Sequence, residues 1–235
     1  MTDIHNPQQN KLLKALPIED YERILVHLEL TEMSPGEILF HSGEKLEYVY
    51  FPTDCFMSLL YDTEEGATTE IASIGNDGVV GVGIFMTGAA MPFRAMVQST
   101  GCAYRISQNL FMEEFRRQGS LYHKLLSYTQ VLITQTAQMA VCNRFHKVDQ
   151  QLCRFLLLSF DWLPTNELAI TQELISNMLG VRREGITEAA GKLQQEGLIH
   201  CRRGHIAVLD REGLEARSCE CYQVVKTEFE RLLAA

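Results

Sequence analysis

Between Thr171 and Val208 the chain reads TQELISNMLGVRREGITEAAGKLQQEGLIHCRRGHIAV. Leu174, Ile175, Met178 and Leu179 fall on one helical face. Thr171 precedes them as an N-cap whose hydroxyl can accept from an unpaired amide of the first turn. Gly180 follows as a residue free to take the left-handed conformation that ends a helix sharply. A second helix is expected from Arg182 or Arg183, with Ile186, Ala189, Ala190 and Leu193 on one side. Glu184, Glu188, Gly191 and Gln195 lie on the other, and Thr187 on the flank. Gly197 ends it. Ile199 and Cys201, then Ile206 and Val208, alternate with polar residues, so Arg202-Arg203-Gly204-His205 reads as the tip of a hairpin. A short helix, a tight turn and a second helix with long polar residues at its start form a helix-turn-helix pattern. Its second helix would enter a major groove N-terminus first, and the basic tip beside it suits phosphate contact.

Upstream the periodicity changes twice. Asn10 to Leu30 predicts one or two short helices with Leu12, Leu13, Leu16, Ile24, Leu25 and Leu28 inward, the second beginning at Pro17. From Glu32 the pattern alternates. Strands are predicted at Ile38–Phe40, Tyr48–Pro52, Phe56–Tyr61, Thr68–Ile74, Arg94–Val97 and Gly101–Ile106, separated by turn signals, which implies an all-β barrel or sandwich. Phe111 to Phe115 leads into a long helix from Ser120 to Phe145. Along it Leu121, Leu125, Tyr128, Leu132, Gln135, Met139, Cys142 and His146 recur at alternating spacings of four and three, a heptad seam. Leu126, Ile133 and Ala140 form a neighbouring stripe that could pack on the roll. A second copy of the helix is the simplest cover for the seam; a helix packed only within its own chain is the other reading. Gln150 to Trp162 predicts a further helix ended by Pro164. Asp210 caps a last one carrying Leu214, Cys221, Val224, Val225, Phe229 and Leu232.

The length of 235 residues suits two domains, and 46% apolar with 22% charged residues suits a globular chain. No apolar stretch reaches membrane-span length, and the first residues lack signal-peptide character, so a cytoplasmic location and no membrane partner are expected. The net charge of −9 divides as −7 over residues 1–149 and −2 over 150–235. That excludes indiscriminate nucleic-acid binding and requires Arg182, Arg183, Lys192, Arg202 and Arg203 to act as a local patch. The seven cysteines form no pair of CxxC knuckles. Cys219 and Cys221, on one expected helix, would point apart, so neither a metal site nor a cofactor is expected. No nucleophile–base pairing or phosphate-binding loop marks an enzyme.

Residues 168–214 resemble the winged helix of the Crp/Fnr superfamily, the cyclic-AMP receptor and fumarate–nitrate regulators. The resemblance lies in Thr171-Gln172-Glu173-Leu174, Leu179-Gly180-Val181-Arg182-Arg183-Glu184, Leu193-Gln194-Gln195-Glu196-Gly197-Leu198-Ile199 and Ile206-Ala207-Val208-Leu209-Asp210. It extends to the double-stranded β-roll of the same superfamily through Ser34-Pro35-Gly36-Glu37-Ile38-Leu39-Phe40, Tyr48-Val49-Tyr50-Phe51-Pro52 and Ile74-Gly75-Asn76-Asp77-Gly78. It implies an α+β chain: a roll over 1–117, a dimerisation helix over 118–147 with a hinge near Phe145 to Asp149, and a winged helix-turn-helix over 148–235. It implies that Arg183 and Glu184 read bases. Where the cyclic-AMP branch places a further base-reading Arg, this chain has Glu188, a charge reversal, so the resemblance does not carry over the target sequence of that branch.

The phosphate cassette of the cyclic-nucleotide sensors departs. A Gly-Glu and an Arg-Ser/Thr are expected there, and Gly81-Val82 and Phe93-Arg94-Ala95 stand instead. Val82, Ile84, Phe85 and Arg94 are the candidate effector-pocket residues. Arg94 is either a displaced phosphate ligand or, as favoured, structural, and the pocket is either apolar or absent. The expected DNA contacts are Thr171, Arg182, Arg183, Glu184, Thr187, Glu188, Lys192, Arg202, Arg203 and His205. The expected dimer contacts are Leu121, Leu125, Tyr128, Leu132, Gln135, Met139 and Cys142. The expectation is a homodimeric regulator on a palindromic duplex, without cyclic-nucleotide control, with room for RNA polymerase as a further partner. The competing expectation is a small-molecule-binding signalling protein whose winged helix docks on other proteins.

Overall fold

A computed structural model describes residues 6–88 and 90–234, with side chains through Arg231; Leu232 of the expected last helix therefore lies outside the described side chains. After a 3₁₀ turn at Pro7–Gln9, α1 (Lys11–Lys14) and α2 (Ile18–Leu25) lead into the roll. Asn10 fastens this entry. Its side-chain oxygen accepts from the Leu12 and Leu13 amides, and its Nδ2 donates to the Pro52 and Gly78 carbonyls at 2.9 Å each.

The roll has two facing sheets. One contains β1 (Glu29–Met33), β3 (Tyr48–Pro52) and β7 (Gly101–Ser107) in the order β1-β7-β3. The other contains β2 (Ile38–Phe40), β4 (Met57–Asp62), β5 (Thr68–Ile74) and β6 (Arg94–Val97) in the order β2-β6-β4-β5. Every neighbouring pair is antiparallel. Between the sheets Met33, Val49, Phe51, Phe56, Met57, Ile74, Val97 and Ile106 are almost fully buried. β1 was not expected: helix was read as far as Leu30. Its E-L-T-E-M leaves only Met33 buried, so alternation is hidden at an edge strand. A short helix, α3 (Val82–Met86), interrupts the second sheet's connection.

α4 (Gln108–Arg116) is separate from α5 (Ser120–Phe145), with Gln118 at φ 56° between them. α6 (Val148–Trp162) follows after His146 and Lys147. β8 (Glu167–Ala169), α7 (Gln172–Leu179), α8 (Arg183–Gln195), β9 (Ile199–Arg202) and β10 (His205–Val208) make the winged helix, with the wing a three-stranded sheet of order β8-β10-β9. The single expected last helix is two: α9 (Arg211–Arg217) and α10 (Glu220–Ala234), broken at Ser218 and Cys219. Asp210 does cap α9, accepting from the Gly213 amide at 2.9 Å.

α10 turns back along α5. Phe229 meets Tyr128 with ring centroids 6.3 Å apart, and Gln130 donates to Glu228 at 3.2 Å. The winged helix also docks on the roll through Trp162. Its indole packs on Phe56, 5.8 Å between centroids, donates to Asp77 Oδ2 at 2.8 Å, and lies so close to Gly75 that a Cβ there would fall 2.0 Å from the ring. Only glycine permits that approach. Among the described residues no helix is long and apolar enough to cross a membrane.

Candidate nucleic-acid interface and neighbouring sites

The helix-turn-helix forms as its sequence signals indicate. Thr171 Oγ1 accepts from the Leu174 amide at 3.1 Å, and Gly180 closes α7 at φ 64°. Ile186, Ala189, Ala190 and Leu193 anchor α8 in the core. Arg182, at the N-cap, Arg183 and Glu184 are exposed and make no ion pair among the described residues. Thr187 Oγ1 donates to Gln172 Oε1 at 2.8 Å and to the Arg183 carbonyl at 3.2 Å, locking α8 to α7. Glu188 and Lys192 pair with each other at 2.7 Å, which holds the Glu188 carboxyl below the usual range. Both border a groove toward the start of α6.

In the wing, Arg203 and Gly204 form the two-residue turn, and Arg203 is exposed without an ion pair among the described residues. Arg202 and His205 instead converge on Glu167 of β8. Arg202 Nε donates at 3.2 Å, and His205 Nδ1 lies 3.1 Å from the same carboxylate. Hydrogen bonding from Arg202 keeps Glu167 ionised to lower pH than usual. Glu167 was not among the expected site residues, because a three-residue strand leaves no periodic signal.

The cassette region gives a cavity of about 490 Å³ between the roll and α5. Leu59, Ile71, Val82, Met86 and Phe93 line one side, and Leu132, Ile133, Thr136 and Ala140 the other. Of the four expected pocket residues only Val82 lines it. Ile84 is buried in the core, and Phe85 packs on Phe115 at 5.2 Å and on Phe111 at 6.1 Å. Arg94 forms a two-pronged ion pair with Asp62, at 2.7 and 3.2 Å, and this pair lowers the Asp62 pKa.

The expected dimer seam requires correction. Leu121, Leu125, Tyr128, Leu132, Gln135, Met139 and Cys142 are all buried within one chain. Tyr128 meets Phe229, Gln135 Nε2 donates to the Ser73 carbonyl at 3.0 Å, and Cys142 meets Cys219. The returning α10 and the β5 edge cover this face. The neighbouring stripe, expected to pack on the roll, faces out: Leu126 is 46% and Ile133 64% exposed.

A fourth constellation was missed entirely. Cys142, His146, Cys219 and Cys221 bring one donor atom each within 4.8 Å of one another. The break before α10 lifts Cys219 off the helix, so it and Cys221 converge instead of pointing apart as a continuous helix would place them. Cys142 Sγ lies 3.5 Å from Cys219 Sγ, and Cys221 Sγ 3.5 Å from His146 Nδ1. The bond from Cys142 lowers the Cys219 thiol to about 5 and raises Cys142 in turn, while burial pushes Cys221 up to about 11.

A model of the cyclic nucleotide-binding domain matches residues 30–118, and one of the Crp-like helix-turn-helix domain matches residues 150–217. No curated protein matches the chain by sequence. Among solved structures the chain is similar to FixK2 from Bradyrhizobium japonicum, at 16% identity and TM-score 0.66 over 82% of this chain and 98% of that one. It is similar to the c-di-GMP responsive global regulator CLP of Xanthomonas campestris, at 19% identity and TM-score 0.60 over 82% and 99%. A CRP/FNR-family transcriptional regulator from Thermus thermophilus aligns at 17% identity and TM-score 0.62 over 81% and 98%. With a cyclic-nucleotide-binding-type roll joined through a long helix to a Crp-like helix-turn-helix, the chain belongs to the Crp/Fnr superfamily of transcriptional regulators.

Proposed function

We propose that the protein is a sequence-specific DNA-binding regulator that acts as a homodimer on a palindromic operator and is not governed by cyclic nucleotides. The observation that carries this reading is the first turn of α8, where the side chains of Arg183 and Glu184 stand in solvent with no partner among the described residues. A guanidinium so placed suits guanine O6 and N7, and a carboxylate suits cytosine N4. Dimerisation is assigned to the outward stripe of α5. Leu126, Thr129, Ile133, Thr136 and Ala140 alternate at three and four residues without a charge among them, the spacing of a coiled-coil seam. Two copies joined there would present two recognition helices about a two-fold axis, which is what a palindrome reads.

Independence from cyclic nucleotides rests on the cassette. A buried cyclic phosphate needs a cation and a ribose an acceptor. Arg94 is engaged by Asp62, Val82 offers no acceptor, and the cavity wall is almost wholly apolar. Each group left unpaired costs about 1–3 kcal/mol. The test is selection of bound fragments from the source genome, followed by affinity measurements across salt concentrations. A recurrent palindrome bound far above random duplex is expected. Equal affinity for every duplex, or none, would favour the winged helix as a protein-docking module.

A further inference from the structure

We propose that Cys142, His146, Cys219 and Cys221 form a binding site for a single tetrahedral zinc ion. The donors come from both ends of a long separation in sequence. Cys142 lies in the last turn of α5, and His146 is that helix's C-cap; Cys219 and Cys221 flank Glu220 at the start of α10. Zinc–sulfur bonds of about 2.3 Å and zinc–nitrogen bonds of about 2.0–2.1 Å put tetrahedral donors roughly 3.5–3.8 Å apart. The 3.5 Å approaches of Cys142 to Cys219 and of Cys221 to His146, with all four donors inside 4.8 Å, match that spacing. They leave no room for a multi-iron cluster, whose cysteine ligands must straddle several metal and sulfide atoms. Soft thiolates with one imidazole and no carboxylate ligand select zinc over magnesium or calcium.

Three features around the donors support an ion rather than a chance gathering of thiols. His146 turns Nδ1 toward Cys221 and its Nε2 toward the Glu220 carboxylate at 3.3 Å. A metal-bound imidazole uses its second nitrogen in this way, donating to a carboxylate that fixes the ring. Gln151 Nε2 donates to the His146 carbonyl at 3.0 Å and to the Cys142 carbonyl at 3.4 Å, holding the helix end that presents two of the donors. Arg154 is only 4% exposed, and its Nε and Nη2 have no hydrogen-bond partner among the described residues. Three thiolates and a neutral imidazole around a divalent ion leave one negative charge, which a buried guanidinium offsets. On loading, all three cysteines bind as thiolates, and those still protonated release their protons to solvent. The three cysteines also form a buried cluster apart from the main core. An ion there would tie the start of α10 to the hinge between α5 and α6.

The full-length chain, purified under reducing conditions, should carry one zinc per protomer by elemental analysis. After metal removal it should take up one equivalent of Co²⁺, with tetrahedral visible bands and thiolate charge-transfer absorption in the near ultraviolet. Cys219→Ser should abolish that spectrum, and Cys201→Ser should leave it intact. Because Cys219→Ser could fail to fold, Glu220→Gln provides a second test: its side chain is mostly exposed, and its loss should weaken metal affinity about 10–100-fold with the far-ultraviolet dichroism unchanged. Failure of the reduced wild type to bind stoichiometric Co²⁺ would overturn the site. So would iron with acid-labile sulfide, or a Cys142–Cys219 disulfide recovered in place of metal.

Discussion

Arg183 and Arg94 are the two arginines that resemblance singles out, one for a base and one for a phosphate, and they stand in opposite circumstances. Arg183 projects from the first turn of α8 with no side-chain partner among the described residues. Arg94 is gripped by both oxygens of Asp62 beside an apolar cavity. A guanidinium already matched to a carboxylate gains less from a phosphate, because the exchange gives up that pair. A free one gains a bidentate contact outright. Residue identity at a motif position therefore says less about binding than whether the chain has already supplied the partner.

The contrast can be broken at several levels. The largest effect concerns assembly, since an unpaired Arg183 reads a palindrome only if two copies act together. Ile133→Glu places a charge on the outer stripe of α5 and should give folded monomers by light scattering. Operator affinity should fall about 10²–10⁴-fold through lost bivalency. Leu132→Glu, one residue away but inward, should instead fail as a folding defect, because it buries an unpaired charge. A monomeric wild type would remove the outer seam and the palindrome together. Next, Arg183→Ala should cost about 1–3 kcal/mol per half-site and relax specificity at one base pair; uniform weakening over all sequences would reduce Arg183 to a phosphate contact.

A smaller effect tests the idea of an engaged arginine directly. Arg203→Ala should lower the salt slope of operator binding by about one unit. Glu167→Gln should raise it, because Arg202 and His205 are released from β8 to face phosphate; an unchanged slope in both would place the wing away from DNA. The smallest effect is expected at Arg94. Arg94→Ala should cost under about 1 kcal/mol of stability, as a partly exposed ion pair does. The Asp62 pKa is depressed in the folded state, so that contribution is present above the unfolded carboxylate's range and is lost as pH falls through the folded value. Variant and wild type should therefore converge in acid. Calorimetric titration with cyclic AMP should show no binding to either; micromolar binding to the wild type that Arg94→Ala removes would erase the contrast between the two arginines.

Most of the fold was legible where local chemistry decides it. Thr171, Gly180 and Gly197 bound the helix-turn-helix, and the alternating strands of the roll announced β2, β3, β5 and β6 at their full extents. The edge strand β1 and the three-residue β8 were not legible, since both are too exposed or too short to impose a period. The face of α5 could not be chosen from periodicity. Two apolar stripes run one residue apart, and which is covered depends on a helix returning from the far end of the chain. The same return builds the cysteine–histidine cluster. No spacing rule connects Cys142 to Cys219, and the break at Ser218 and Cys219 has neither glycine nor proline to mark it. The place of Arg183 at the start of the second helix was legible; the pairing of Arg202 with Glu167 required the third strand.

The seating of Trp162 has an optical consequence. It is the chain's only tryptophan, and it sits where the last turn of α6 presses into Gly75 of the roll, its indole nitrogen bonded to Asp77. Tryptophan fluorescence thus comes from one ring at the seam between the two halves. Any event that parts them, whether operator binding, an occupant of the cavity or a change at the hinge, exposes that ring to water and is visible as a red shift in emission, with no label attached.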